Sequence, residues 1–176
     1  MEKFSTFASV GVPIDIANCD TDQIIPARFL RRGKDDPEYS KFLFHDLRFN
    51  EDGTEKDFVY NEEPFRSGRI FVTDVNWGCG SSRENAVTAL SANGVRSVIA
   101  PSIADIHYNN CIKNGVLPIC LAHEDCKTLR RQLRDNKKRI IAYVADTTDV
   151  LHRPARPSRT LAAAAAARAA AAGATP

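Results

Sequence analysis

Val10, Val12, Ile14 and Ile16 alternate with other residues, which predicts a short strand, and Asn18-Cys-Asp-Thr-Asp22 supplies the turn formers that end it before Ile24-Ile-Pro26. Residues 31–68 lose this regularity. Charge, Gly and Pro surround the apolar patch Phe42-Leu-Phe44, a pattern that predicts a long connection with little regular structure. From residue 69 the pattern tightens. Ile70-Phe-Val72 reads as a strand, Trp77–Ser82 as a Gly/Ser turn, and Arg83–Asn93 as a helix closed by Gly94. A strand at Ser97–Ala100, a helix at Ala104–Lys113 ending on Asn114-Gly115, a strand at Val116–Leu121 and a charged amphipathic helix at Glu124–Asn136 complete the series. Strands alternating with helices of this length argue for an α/β fold with crossover units on a largely parallel sheet.

Composition narrows the choices. A chain of 176 residues, 43% hydrophobic and 26% charged, can bury one sizeable core, so one domain is expected over residues 1–138. A net charge of +2, with basic residues scattered among 22 acidic ones, is not the footprint of a nucleic-acid binder. Cys19, Cys79, Cys111, Cys120 and Cys126 form an odd set without a C-x-x-C pair, suggesting neither a disulfide framework nor a zinc site and favouring a reducing compartment. No apolar run is long enough for a signal peptide or a membrane span, which makes the cytoplasm the expected location. The Ala/Arg/Pro-rich segment 139–176 is of low complexity and is expected to form a tail without a packed core.

The most informative segment is Gly78-Cys-Gly-Ser-Ser-Arg-Glu84, between a predicted strand and a predicted helix. Two glycines allow a tight turn that presents backbone N–H groups, the helix N-terminus adds positive potential, and Arg83 offers a planar fork for a carboxylate. Ser81 could abstract a proton only with its alkoxide held by such groups. On spacing alone the plainer reading is that Ser81 or Ser82 is an N-cap and the glycines a turn. A second polar stretch, Asp20-Thr-Asp-Gln23, precedes Arg28, Arg31, Arg32 and Lys34, which read either as a dicarboxylate clamp or as a solvated charge run. His107, Asn109 and Asn110 read as capping or core-edge residues.

Three ordered motifs carry a family resemblance: Asn18-Cys-Asp-Thr-Asp-Gln-Ile-Ile-Pro-Ala-Arg-Phe-Leu30, Gly78-Cys-Gly-Ser-Ser-Arg-Glu84, and Ile103-Ala-Asp-Ile-His-Tyr-Asn-Asn-Cys-Ile-Lys-Asn-Gly-Val-Leu-Pro118. With Phe44-His-Asp-Leu-Arg-Phe49 between them, they resemble the small-subunit family of isopropylmalate dehydratases, within the aconitase superfamily, over roughly residues 8–122. The resemblance implies a swivelling β/β/α domain that docks on a large subunit carrying a [4Fe-4S] cluster, with no cluster or metal ligand on this chain. It implies a hydro-lyase that moves a hydroxyl to the neighbouring carbon by dehydration and rehydration, acting on 2-isopropylmalate in leucine biosynthesis. Residue by residue, Ser81 matches the family's base and Arg83 its carboxylate-binding arginine. Asp22 matches the loop aspartate facing the active site, while the backbone of Gly80 and Ser82 would support the alkoxide. Arg31 falls in the substrate-discriminating loop, where an apolar residue suits an isopropyl group and an arginine an additional carboxylate.

Two departures widen the expectation. Asn85 stands where the family motif usually continues Ser-Arg-Glu-His, which admits a sister hydro-lyase for a methylmalate or citraconate-type acid, or an impaired binding or regulatory subunit. After about Arg139 no counterpart of the family's further segment is found, and the Arg/Ala/Pro-rich ending is what a shifted reading frame in a GC-rich gene would produce.

Overall fold

A computed structural model describes residues 7–33, 36–136 and 139–142. Its centre is a five-stranded sheet in the order β4-β3-β2-β1-β5, built from β1 (Phe7–Pro13), β2 (Ile70–Val72), β3 (Ser97–Ala100), β4 (Leu117–Cys120) and β5 (Arg139–Ala142). The first four strands are parallel, with Gly11 opposite Ile70, Ile70 opposite Ser97, and Ser97 opposite Leu117. β5 runs antiparallel beside β1, pairing Phe7 with Ala142 and Val10 with Arg139. The sheet therefore reaches four residues past the boundary expected at 138; the rest of the expected tail, 143–176, lies outside the described residues.

Because β1 to β4 step across the sheet in chain order, the right-handed crossover rule places their connections on one face. These are the long segment 14–69, α3 (Glu84–Ala92) and α4 (Asp105–Lys113), with the short helices α1 (Thr21–Ile24) and α2 (His45–Arg48) inside the long segment. α5 (His123–Asn136) returns from β4 to the opposite edge and covers the other face. Alternation along the strands sorts the core accordingly: Val12, Phe71 and Val98 pack with the first layer, and Ile70, Val72 and Ile99 pack with Cys126 and Leu133 of α5. Both α3 and α4 stop at the glycines expected to close them, Gly94 and Gly115.

The long connection holds little regular structure, as expected, yet it is a packed layer. Its 3-10 turns at Tyr39–Phe42, Val59–Asn61 and Phe65–Ser67 bury Tyr39, Phe42, Leu43, Phe44, Tyr60 and Phe65. Phe44 is the hub, with ring centroids 5.5 Å from Phe58, 5.8 Å from Phe71 and 6.1 Å from Trp77. Truncating such a ring to alanine costs about 3–5 kcal/mol. A buried polar tie stands in for missing secondary structure: Arg48 Nε donates to Asn61 Oδ1 (2.9 Å), and Asn61 Nδ2 donates to the carbonyls of Arg48 (2.8 Å) and Lys56 (3.0 Å).

Candidate active site

The carboxyl ends of parallel strands leave their following loops on one edge of the sheet, the usual place for a site in such a fold. Here the loops after β1, β2 and β3 meet. Gly78 N donates to the Cys19 carbonyl (2.8 Å), Thr21 N to the Cys79 carbonyl (3.0 Å), and Ala104 N to the Trp77 carbonyl (2.9 Å). Thr21 Oγ1 adds a bond to the Ser81 carbonyl (2.9 Å). The first loop is locked by a capping box, in which Asp20 Oδ1 accepts from Gln23 N (2.7 Å) and Gln23 Oε1 accepts from Asp20 N (3.0 Å). At the tip, the Arg83 guanidinium donates to the Asp22 carboxylate.

Residues Thr21, Gly78, Gly80–Arg83, Ala104–His107 and Asn110 line a cavity of about 230 Å³. Ser81 and Ser82 are exposed on its rim, and Arg83 is only 21% exposed. Neither serine is the N-cap of α3: that position is Arg83, whose side chain makes no bond to the helix end. The amides of Gly80, Ser81 and Ser82 make no backbone hydrogen bond among the described residues. Three consecutive N–H groups without a backbone partner, a helix start without a side-chain cap and a half-buried guanidinium thus share one short stretch of chain with the exposed Ser81, a composition suited to an anion or a developing negative charge.

Gly78 is required by its surroundings. It has φ of +71°, and a Cβ there would lie 2.2 Å from His107 Cγ. His107, read from the sequence as a capping or core-edge residue, is buried beneath this turn at 2% exposure, and neither ring nitrogen has a partner among the described residues. Burial lowers its pKa to about 4, so the ring is neutral. The sequence carried no local sign of this role, since only the fold places α4 under the Gly78 turn. Thr21 was likewise missed.

The structure brings together Ser81, Ser82, Gly80, Arg83 and Asp22, but not the basic run. Arg28 pairs with Asp46, Arg32 with Asp36 (3.5 Å), and exposed Arg31 does not line the cavity; Lys34 lies outside the described residues. Asn85 faces the same stretch of chain from α3, its Nδ2 3.4 Å from the Leu30 carbonyl. Cys19 is buried, its thiol pushed up to about 12 by that burial, and among the described residues no group of three or more His, Cys, Asp or Glu is placed to hold a metal ion.

The family model for the aconitase C-terminal domain matches residues 1–124. The chain belongs to this family. The 3-isopropylmalate dehydratase small subunit of Gluconacetobacter diazotrophicus is 50% identical over 135 residues, 76% of this chain and 65% of that protein. The protein of the same name from Brucella anthropi is 52% identical over 130 residues, 73% of this chain and 64% of its own. That from Parvibaculum lavamentivorans is 43% identical over 151 residues, 85% of this chain and 75% of its own. A crystal structure of 3-isopropylmalate dehydratase from Methanocaldococcus jannaschii superposes with a TM-score of 0.53 at 28% identity, covering 77% of this chain and 68% of that one. The chain spans just under two thirds of the length of the first two relatives. The aconitase-type fold expected from the three motifs is thus the fold observed, and those motifs are the segments that build the cavity edge.

Proposed function

We propose that this chain acts as the small subunit of a 3-isopropylmalate dehydratase, isomerising 2-isopropylmalate to 3-isopropylmalate by dehydration and rehydration as part of leucine biosynthesis in the cytoplasm. The partner is a large subunit, on which a [4Fe-4S] cluster supplies Lewis-acid activation of the departing hydroxyl. The observation that carries the reading is the loop 80–82, whose unpaired amides and exposed serine hydroxyls lie beside Arg83, itself held by Asp22.

In this reading Arg83 receives a substrate carboxylate, because a guanidinium fork fixes two oxygens and hence the orientation of the adjacent carbon. Asp22 holds the guanidinium in place before substrate arrives. Ser81, as the alkoxide, takes the proton from the carbon next to that carboxylate as the hydroxyl leaves the adjacent carbon, and on rehydration delivers a proton to that adjacent carbon while the hydroxyl adds to the first. The Gly80 and Ser82 amides and the start of α3 stabilise the alkoxide form of Ser81 until the proton is taken. The chain offers hydrogen-bond donors and one base; it has to share a site to complete the reaction. Arg31 follows Leu30, whose carbonyl is near Asn85, and this segment is where preference for the isopropyl group would be set.

The test is anaerobic co-purification with the large subunit, followed by an assay for the unsaturated acid formed from 2-isopropylmalate. The wild-type pair should turn over, and Ser81→Ala should reduce turnover at least a thousandfold while leaving the complex intact. Turnover by the Ser81→Ala complex at the wild-type rate would refute the assignment of the base.

A further inference from the structure

The site has its roots on the far side of the sheet. Along α5 the buried positions are Cys126, Arg130 and Leu133, so an arginine occupies the middle of a helix face that otherwise packs on the apolar side of β1, β2 and β3. An apolar residue of that size would serve stability as well or better, since a buried charge must first be stripped of water. What Arg130 reaches explains its presence. With its side chain 6% exposed, it pairs through Nε with Asp15, through Nη2 with Asp74 Oδ2 (2.8 Å), and donates through Nη1 to the Thr73 carbonyl. Arg134 reinforces Asp15 (2.6 Å), and His123 Nδ1 lies 3.8 Å from Asp74.

Asp15 lies two residues beyond the end of β1, and Asp74 two beyond the end of β2. They are the starting points of the two loops that carry Asp22 and Ser81–Arg83. From there the loops run side by side to the cavity: Asn18 N donates to the Val75 carbonyl (2.9 Å), and Asn76 Nδ2 to Asn18 Oδ1 (2.9 Å). The Gly78, Thr21 and Arg83 bonds described above continue the series. Arg130 is therefore the buried pin at one end of a ladder whose other end is the Asp22–Arg83 pair. It also lies beyond residue 124, where the match to the family model ends.

We infer that Arg130 is a positioning residue: through Asp15 and Asp74 it sets the placement of the Asp22 loop relative to the Ser81–Arg83 loop. Its catalytic consequence rests on the function proposed above; its structural consequence does not. The experiment uses the full chain, alone and with the large subunit, as Arg130→Met, Arg130→Lys, Asp15→Asn and the Asp15→Asn/Arg130→Met double variant. Amide hydrogen exchange is followed at 18–22 and 78–83, and kcat and KM are measured separately well below the lowest melting temperature.

Arg130→Met should speed exchange in both loops at least tenfold while β3 and α4 keep their rates, and should lower kcat about tenfold or more. Arg130→Lys should recover part of the loss, and the double variant should be no worse than Arg130→Met, because both changes cut one network. Where Arg130→Met does not fold, Arg130→Lys and Asp15→Asn carry the same comparison. Exchange that rises no more in the two loops than in β3 and α4 would overturn the inference, as would unchanged kcat and KM in an active complex. A wild-type complex that leaves 2-isopropylmalate untouched would instead remove the proposed reaction, with the exchange data still deciding the role of Arg130.

Discussion

His107 should make this domain lose stability in mild acid, well above the pH at which ordinary carboxylates titrate. The ring is 2% exposed, packs against Gly78 and Trp77, and has no partner for either nitrogen among the described residues. Arg83 and Asp105, one charge of each sign, line the same cavity. Burial lowers the folded-state pKa from 6.5 to about 4, so between these values the unfolded chain binds a proton that the folded chain refuses. The sign follows: the stabilisation is complete above about pH 6.5, shrinks as pH falls, and is exhausted near pH 4. The gap corresponds to about 3 kcal/mol in full, of which about 2 kcal/mol is lost between about pH 7.5 and pH 5. Urea denaturation of wild type and His107→Phe at both pH values isolates this contribution, since every other titrating group is common to the two proteins. Wild type should lose about 2 kcal/mol more than the variant. An equal loss in both would show that the buried ring is protonated in the folded state, and the reasoning would fail.

Three further perturbations probe the site. Gly78→Ala should destabilise the domain by about 3 kcal/mol or more in urea denaturation, since it combines a left-handed backbone with a Cβ driven into His107; the double variant Gly78→Ala/His107→Ala should recover part of that. Asp22→Asn should raise KM for the acid about tenfold in steady-state assays, with a smaller change in kcat, because Arg83 loses its charged holder before substrate binds. Asn85→Ala should cost about 1 kcal/mol in the same denaturation assay, and should narrow or shift the preference between 2-isopropylmalate and shorter acids, because it releases the segment at Leu30.

What the sequence could reveal followed the range of the forces involved. The strands at Ile70–Val72 and Ser97–Ala100, and the helix ends at Gly94 and Gly115, coincide with their expected places because short apolar runs and C-terminal glycines are local signals. Gly78–Arg83 was legible as a strand-to-helix turn, and family motifs then singled out Ser81, Arg83 and Asp22. The packing of the long connection was not legible: Phe44, Arg48 and Asn61 are spaced without period, and only their three-dimensional meeting explains them. β5 was missed because its partner is β1, more than a hundred residues away, and four residues of Arg-Ile-Ile-Ala say nothing of that pairing. The basic run read either as a clamp or as a solvated charge run, and Arg28 and Arg32 pair with Asp46 and Asp36 on the surface. Arg130 reads in sequence as one more charge on an amphipathic helix, and its burial depends on aspartates contributed by two other strands' ends.

The exposure of Ser81 bears on the reaction proposed above. A hydroxyl in contact with water is a poor base, since water solvates the alcohol and competes for each donor that would stabilise the alkoxide. In the proposed reaction the amides of 80–82 and the Arg83 fork would become effective only when a second surface shuts water out and leaves the substrate as their sole acceptor. On that proposal the free chain is a set of donors without a reaction. Its contribution is geometric: two loops fixed at their roots by Arg130, laced together by backbone bonds, and closed at the tip by Asp22 and Arg83. Such rigidity would serve the proposed site, one completed by docking, because donors already in place would lose little freedom on the arrival of partner and substrate.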